Sequence, residues 1–531
     1  MLPRELLVDI FSLALNRDGS RVTEEMSRTR FRLRSLRFFM TVCKYWRDVI
    51  LHTKIIWREA QFGDGVPREL TQLMLERSGQ APLHLTICLK NVRPERRTEG
   101  LDVQMLETSM HRVSRLNLRL LHLGGKRLEQ MYDLPDLQEL VVEVKENVNP
   151  LFFIPVVSPD CPLARLQTLH SSYVAFNHIT PFFRPTLRSF HMDSTPYGIS
   201  APVDGFLQAL SAMPLLEDLS LDWIFHDNEP LATQLPLVRL ESLKKIHFDI
   251  DRYRCAEILE HLVFPASVIL SGQFDCTVTY VSERTRVEYS LAHKRFLAAV
   301  FAKLVGDGVI GDMPRIDTLK LAVSSSEYRA EMAFLHHSRE VHVPLFLGIN
   351  TDGVLAAGEL VDLICNVAPR SIITNLRNLS ILSGILADRR LSAGFLNNAP
   401  KFVNLVALHL DGTYGIWQCL VSLHEIYERR DISPPPLPFP CLQVLTVTAC
   451  IFRTFHKGRE LIDYPSDFLF SLRGILQTRK TIGLPLRKLG IYQSRRFAEK
   501  DAEMLREFVE VDWDGVVDLE AKYRQTRVNV W

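Results

Sequence analysis

Three groups of residues have the types and spacing that could do bond chemistry. Gly306-Asp-Gly308-Val-Ile-Gly311 spells the glycine pattern of a dinucleotide-binding turn, where amide groups at the start of a helix hold a pyrophosphate. That chemistry needs a strand before the glycines and a helix straight after them. Here a helical pattern ends near Leu304 and Pro314 stands just downstream, so the sequence predicts a plain turn. His424-Glu-Ile-Tyr-Glu428 begins like a zinc-protease helix, but the second histidine is missing and the helix face lacks a ligand. His336, His337 and His342 have no nearby cysteine or further triad to complete a tetrahedral site. The sequence contains no Gly-x-Ser-x-Gly elbow and no phosphate-binding lysine loop. It therefore assigns no catalytic residue, no cofactor and no metal.

The most informative elements of the chain lie at its start. In Leu2-Pro3-Arg4-Glu5-Leu6-Leu7-Val8-Asp9-Ile10-Phe11, Pro3 suits a first helical turn, because its missing N–H would be unpaired there anyway. Leu6, Leu7, Ile10, Phe11 and Ala14 then share one helical face. Phe39, Val42, Cys43, Trp46, Val49 and Ile50 recur at three- and four-residue steps and predict a second helix, with Trp57 beyond it. Between the two, Arg28, Arg30, Arg32, Arg34 and Arg37 form the one conspicuous basic run. Such a run suits nuclear import or phosphate contact, but Glu24 and Glu25 offset it, and the expectation is a solvated loop. Both helices carry more apolar surface than the pair can hide alone.

These residues resemble an F-box, the module that docks a protein onto the Skp-type adaptor of an SCF (cullin-RING) ubiquitin ligase. The family pattern is Leu-Pro-x-Glu-Leu-Leu, then Ile-Phe, a Val-Cys-Lys-x-Trp-Arg block and a distal Trp. The chain matches it with Leu2, Pro3, Glu5, Leu6, Leu7, Ile10, Phe11, Val42, Cys43, Lys44, Trp46, Arg47 and Trp57. It departs in the stretch Asn16 to Arg34, which is longer than the usual connection and resembles looser fungal-type variants. The resemblance implies adaptor binding through Leu2, Pro3, Leu6, Leu7, Ile10, Phe11, Val42, Cys43, Trp46, Val49 and Trp57. It covers only the first 60 or so residues.

The remainder of the chain repeats a short phrase: apolar, two variable residues, apolar, one variable, apolar. Copies begin at Val113, Leu137, Leu166, Leu187, Leu216 and Leu243, at steps of about 21 to 29 residues, and later ones at Ile316, Leu376, Leu405, Leu442 and Leu486. Such a phrase makes a short strand whose alternate side chains enter a stacked interior, and one copy alone cannot hide its leucines. Helical spacing between copies, over Pro202 to Met213 and Leu291 to Leu304, predicts outer helices. The pattern resembles the irregular leucine-rich repeat domain that follows the F-box in many substrate receptors, although the turn-forming Asn of that family is mostly missing. An ordinary α/β sheet domain with leucine-rich strands is the alternative. Phe274 to Tyr280 alternates and suits a strand in either case, and Pro434 to Pro440 suits a stiff connection.

The expected fold class is therefore α/β: a small all-α F-box followed by an irregular leucine-rich repeat solenoid. The expected divisions are an F-box at 1–60, linker helices at 61–112, the solenoid at 113–508 and a C-terminal cap or tail at 509–531. Composition supports a buried core, with 47% hydrophobic and 24% charged residues. The 63 basic residues nearly balance 62 acidic ones, so no long-range field argues for nucleic acid or an anionic membrane as partner. Nine scattered cysteines without a Cys-x-x-Cys pair suit reduced thiols, and the N-terminus lacks a signal-peptide pattern; both favour the cytoplasm or nucleus. Asn378-Leu379-Ser380 matches a glycosylation acceptor but falls in an expected buried strand.

The expected function is the substrate-recognition subunit of an SCF ligase, with no catalysis of its own. Expected target contacts flank the strand leucines on the concave face: Asn117, Arg119, Gln138, Glu139, Arg188, His191, Glu217, Asp218 and Asp222. The alternative is a leucine-rich scaffold that binds the adaptor without assembling a ligase.

Overall fold

The computed structural model describes residues 2–15, 25–63, 67–89, 108–120, 133–144, 163–193, 202–222, 235–249, 252–276, 283–306, 309–310, 318–324, 329–335, 345–351, 364–383, 397–411, 420, 423–427, 437–449, 455–456, 459–460, 468–494 and 497–515. Its secondary structure is mixed α/β with mostly parallel strand pairing, divided into two compact units, Met1–Leu243 and Lys244–Trp531.

The first unit opens with helices α1 (Arg4–Leu15), α2 (Glu25–Val42) and α3 (Lys44–His52), then a 3-10 turn over Lys54–Trp57. Two expectations are corrected here. The apolar face from Phe39 to Ile50 belongs to two helices, because Cys43 is extended (φ −161°, ψ 167°) and its Sγ accepts from the Trp46 amide as the N-cap of α3. The basic run is helical, since α2 begins at Glu25, and Arg32 is buried. Arg32 donates to Glu59 Oε2 at 2.6 Å and to the Ile56 carbonyl at 2.8 Å. Those acceptors are 24 and 27 residues away in sequence, beyond the reach of any local pattern.

Parallel strands follow: β1 (Glu59–Gly63), β2 (Leu83–Leu89), β3 (Val113–Leu120), β4 (Glu139–Val144), β5 (Thr168–Ser172), β6 (Ser189–Asp193) and β7 (Asp218–Asp222). Each pairs with the next in sequence. The sheet thus starts at Glu59 rather than at 113, and the segment expected to be linker helices holds β1, helix α4 (Arg68–Ser78) and β2. The alternation Leu83, Leu85, Ile87, all buried, is the strand signal in that segment.

From β4 to β7 the strands alternate strictly. In β4, Leu140, Val142 and Val144 are buried while Glu139, Val141 and Glu143 are half-exposed; β5, β6 and β7 repeat the pattern. A backbone ladder sets the register before each strand. The Gln138 carbonyl accepts from the Gln167 and Thr168 amides, that of Gln167 from Arg188 and Ser189, and that of Arg188 from Glu217 and Asp218. Between β6 and β7 lies α5 (Val203–Ser211), which buries Val203, Phe206, Leu207 and Leu210, as its periodicity predicts. The C-terminal end of α4 is held by a cation: Arg112 donates to the Ser78 hydroxyl and to the Leu75 and Ala81 carbonyls.

The second unit carries β8 (Lys245–Asp249), α6 (Arg252–His261), β9 (Ile269–Cys276), α7 (Glu283–Leu304), β10 (Thr318–Ser324), β11 (Arg329–Leu335), β12 (Leu345–Thr351), β13 (Asn378–Ser383), β14 (Ala407–Asp411), β15 (Val444–Thr448), α8 (Phe468–Thr481), β16 (Lys488–Tyr492), α9 (Glu499–Arg506) and β17 (Glu510–Trp513). β11 pairs antiparallel with β10 and β12, and β12 continues in parallel to β9, so an inserted excursion is absorbed without breaking the sheet. From β13 to β17 the pairing is parallel and sequential. Within the segment expected to be a cap or tail, Glu510–Trp513 therefore adds a strand, while 516–531 lies outside the described residues.

Two close approaches fix the α8 layer. Gly474 packs against His424 so tightly that a Cβ there would lie 1.9 Å from the ring Nε2. Arg479, fully buried, donates to the Tyr427 hydroxyl and to the Phe439 and Leu442 carbonyls. Asn378 lies in β13 and donates to the Thr318 hydroxyl at 3.1 Å, in keeping with a structural rather than a glycosylated residue. No helix among the described residues is long and apolar enough to cross a membrane.

Candidate docking surfaces

The expected adaptor-binding residues separate into two sets. Leu7, Phe11 and Val49 are interior, a correction to their expected role as direct contacts, and Trp57 is interior too, closing the small core. The Phe11 ring stacks on Phe39 and meets Trp46 edge-on, each at 5.1 Å, and the Trp57 indole donates to the Ile50 carbonyl at 2.8 Å. These residues hold the three helices to one another. Trp46 is half-buried, and Cys43 is exposed at the α2–α3 break.

The second set faces out. Leu2, Pro3, Leu6, Ile10 and Val42 are exposed, with Leu6 at 50% of its possible surface. Sequence reasoning missed two more: Leu13, 74% exposed, and Phe38, 66% exposed. Leu6, Ile10 and Leu13 follow four- and three-residue steps along α1, and Phe38 and Val42 a four-residue step along α2, so each helix presents a stripe. The Tyr45 hydroxyl donates to the Leu2 carbonyl, which brings the start of α1 beside the Val42–Cys43 break. Single exposed leucines are ordinary; a run of large apolar side chains on the outside of one small helical pack is not.

The expected target contacts also separate. Asn117, Arg119, Glu139, His191, Asp218 and Asp222 lie on the half-exposed side of the first sheet, whereas Gln138, Arg188 and Glu217 each sit one residue before a strand. Register aligns the former in rows: Arg115, Glu139, Thr168, Ser189, Asp218; Asn117, Val141, His170, His191, Ser220; and Arg119, Glu143, Ser172, Asp193, Asp222. Arg115, Glu143, His170 and Asp193 share this side but were not singled out in the sequence, although the same alternation marks them.

Charges on this side are paired across strands. Arg115 meets Glu139 at 2.6 Å, Arg119 meets Glu143 at 2.9 Å, and His170 Nε2 meets Asp193 Oδ2 at 2.8 Å. Arg188 pairs with Glu217 just outside it. Such half-exposed pairs contribute at most about 1 kcal/mol each and serve more to fix side-chain direction. The Asp193 hydrogen bond raises the His170 pKa, while burial lowers that of His191, whose ring lies 5.9 Å away. The two shifts are opposite in sign.

The enzyme-like motifs do not form sites among the described residues. Gly306, in a left-handed conformation (φ 97°), terminates α7 by donating to the Lys303 carbonyl, a helix end rather than a phosphate-binding start. His424 lies on a short helix against α8, and Glu428 is outside the described residues, as are Gly308, Gly311, His336, His337 and His342. The described residues bring together no group of three or more potential metal ligands. No protein-family model matches the chain, and no curated protein matches it.

Proposed function

We propose that this chain is the non-catalytic substrate-recognition subunit of an SCF-type ubiquitin ligase. In this reading α1–α3 form an F-box that docks on a Skp-type adaptor and, through it, on the cullin-RING core. The parallel strands form an irregular leucine-rich repeat solenoid whose half-exposed side holds the target protein in the cytoplasm or nucleus. Holding a target beside a recruited conjugating enzyme raises the local concentration of its lysines, which is the whole of the contribution needed from a receptor.

One observation carries the reading: helices with a complete interior of their own still present Leu2, Leu6, Ile10, Leu13, Phe38 and Val42 to solvent. The strand spacing and the repeated carbonyl ladder support the solenoid part. The test is co-purification of a Skp-type adaptor with the full chain, compared with the double variant Leu6→Asp, Ile10→Asp. Both positions are exposed, so the variant keeps its fold and loses the adaptor; retained binding overturns the reading. Cullin recovered with the adaptor marks a ligase, and adaptor without cullin marks the scaffold alternative.

A further inference from the structure

The basic run that singles out the start of α2 has only one member accounted for so far, the buried strut Arg32. Arg34 and Arg37 are exposed and make no hydrogen bond or ion pair among the described residues. Arg34 stands four residues before Phe38 and eight before Val42, so it continues the apolar stripe of α2 along the same line, and Arg37 flanks it. The corresponding flank of α1 carries the opposite sign, with Glu5 and Asp9 exposed beside Leu6 and Ile10. Each apolar stripe therefore carries charge at its flank, basic along α2 and acidic along α1. Arg34 is the last residue of the stretch in which the chain departs from the F-box pattern, and Arg37 follows three residues later.

We propose that Arg34 and Arg37 select a partner surface that places carboxylates against α2, and so fix which way round the partner sits on the stripes. The inference rests on the adaptor reading above and adds the partner's chemistry at one margin. An apolar stripe gives adhesion without direction; margins of opposite sign favour one orientation and repel the reverse. The steering component is exposed, so salt must weaken it, since charges separated by more than roughly 8 Å are screened at physiological ionic strength.

The experiment measures binding of a purified Skp-type adaptor to the full chain at about 50 and 300 mM salt, with the charge-reversal variant Arg34→Glu, Arg37→Glu and with Leu6→Asp, Ile10→Asp. The expected result is a roughly tenfold weakening by charge reversal at low salt, mostly in the association rate, with a flatter salt dependence. Leu6→Asp, Ile10→Asp should abolish binding at both salts. Unchanged affinity and salt slope in the charge-reversal variant, with binding still abolished by the aspartates, overturns this inference and leaves the adaptor reading standing. Binding that survives the aspartates overturns both.

Discussion

Residues 2–52 and the strands from β3 to β7 draw on the same large apolar side chains and dispose of them differently. In the strands Leu116, Leu118, Leu140, Leu169, Phe190, Met192, Leu219 and Leu221 are all interior, and what faces out is polar or charged apart from Val141. In the helices Leu7, Phe11 and Leu36 are interior, yet Leu6, Ile10, Leu13, Phe38 and Val42 remain outside. Among the described residues no exposed large apolar side chain lies in a strand. A strand stacked between neighbours has a repeat on either side to close its interior, while a three-helix pack has fewer faces to close than it has leucines. The difference separates a largely polar outer side on the strands from a partly apolar one on the helices.

Several variants break or sharpen this contrast. Phe190→Ala in β6 removes a side chain with no exposure and should cost about 3 to 5 kcal/mol, measured by urea unfolding of the full chain. Arg479→Met leaves the Tyr427 hydroxyl and the Phe439 and Leu442 carbonyls without their donor, and about 3 kcal/mol should be lost in the same assay. Gly474→Ala forces its methyl into the His424 ring; a loss of about 1 to 3 kcal/mol is expected, recovered in part when His424→Ser is added.

Smaller effects come from pH. Burial, then Arg58, Arg115 and Arg32, push His84 down to about 4. The unfolded chain takes up a proton near 6.5 that the folded chain refuses until about 4, so stability falls as pH drops through that window. His84→Gln should flatten the melting temperature between pH 6.5 and 4. His170 has the opposite sign: its raised pKa gives stability that is present below 6.5 and is lost as pH climbs through the folded value. Asp193→Asn should remove that component. The smallest effect on folding is expected of Leu6→Asp with Ile10→Asp, within about 0.5 kcal/mol, because exposed positions tolerate charge. A cost approaching that of Phe190→Ala would show that the α1 stripe is interior after all and would erase the contrast.

Much of this was legible in the residue order, for identifiable reasons. The strand phrase fixes its own meaning, because a period of two with leucines on one side has one stable outcome once copies stack; Leu140 and Val142 inward with Glu139 and Glu143 outward follow from it. The outer helix α5 was readable for the same reason at a period of 3.6. β1 escaped because it lacks the phrase and is recognised only by its partner β2. Arg32 escaped because its acceptors belong to distant backbone and to Glu59.

In the helical pack the sequence supplied the apolar inventory without its allocation. Leu6 and Leu7 are neighbours of one type, and periodicity places both near one face; only the packing of α1 against Phe39 and Trp46 sends Leu7 and Phe11 inward and leaves Leu6 and Ile10 out. Likewise the order of residues showed five arginines in a run, and the fold alone buried Arg32 while leaving Arg34 and Arg37 exposed. Local periodicity sets what each segment would bury. Which residues actually lose their water depends on what arrives from elsewhere in the chain, and that is a property of three dimensions.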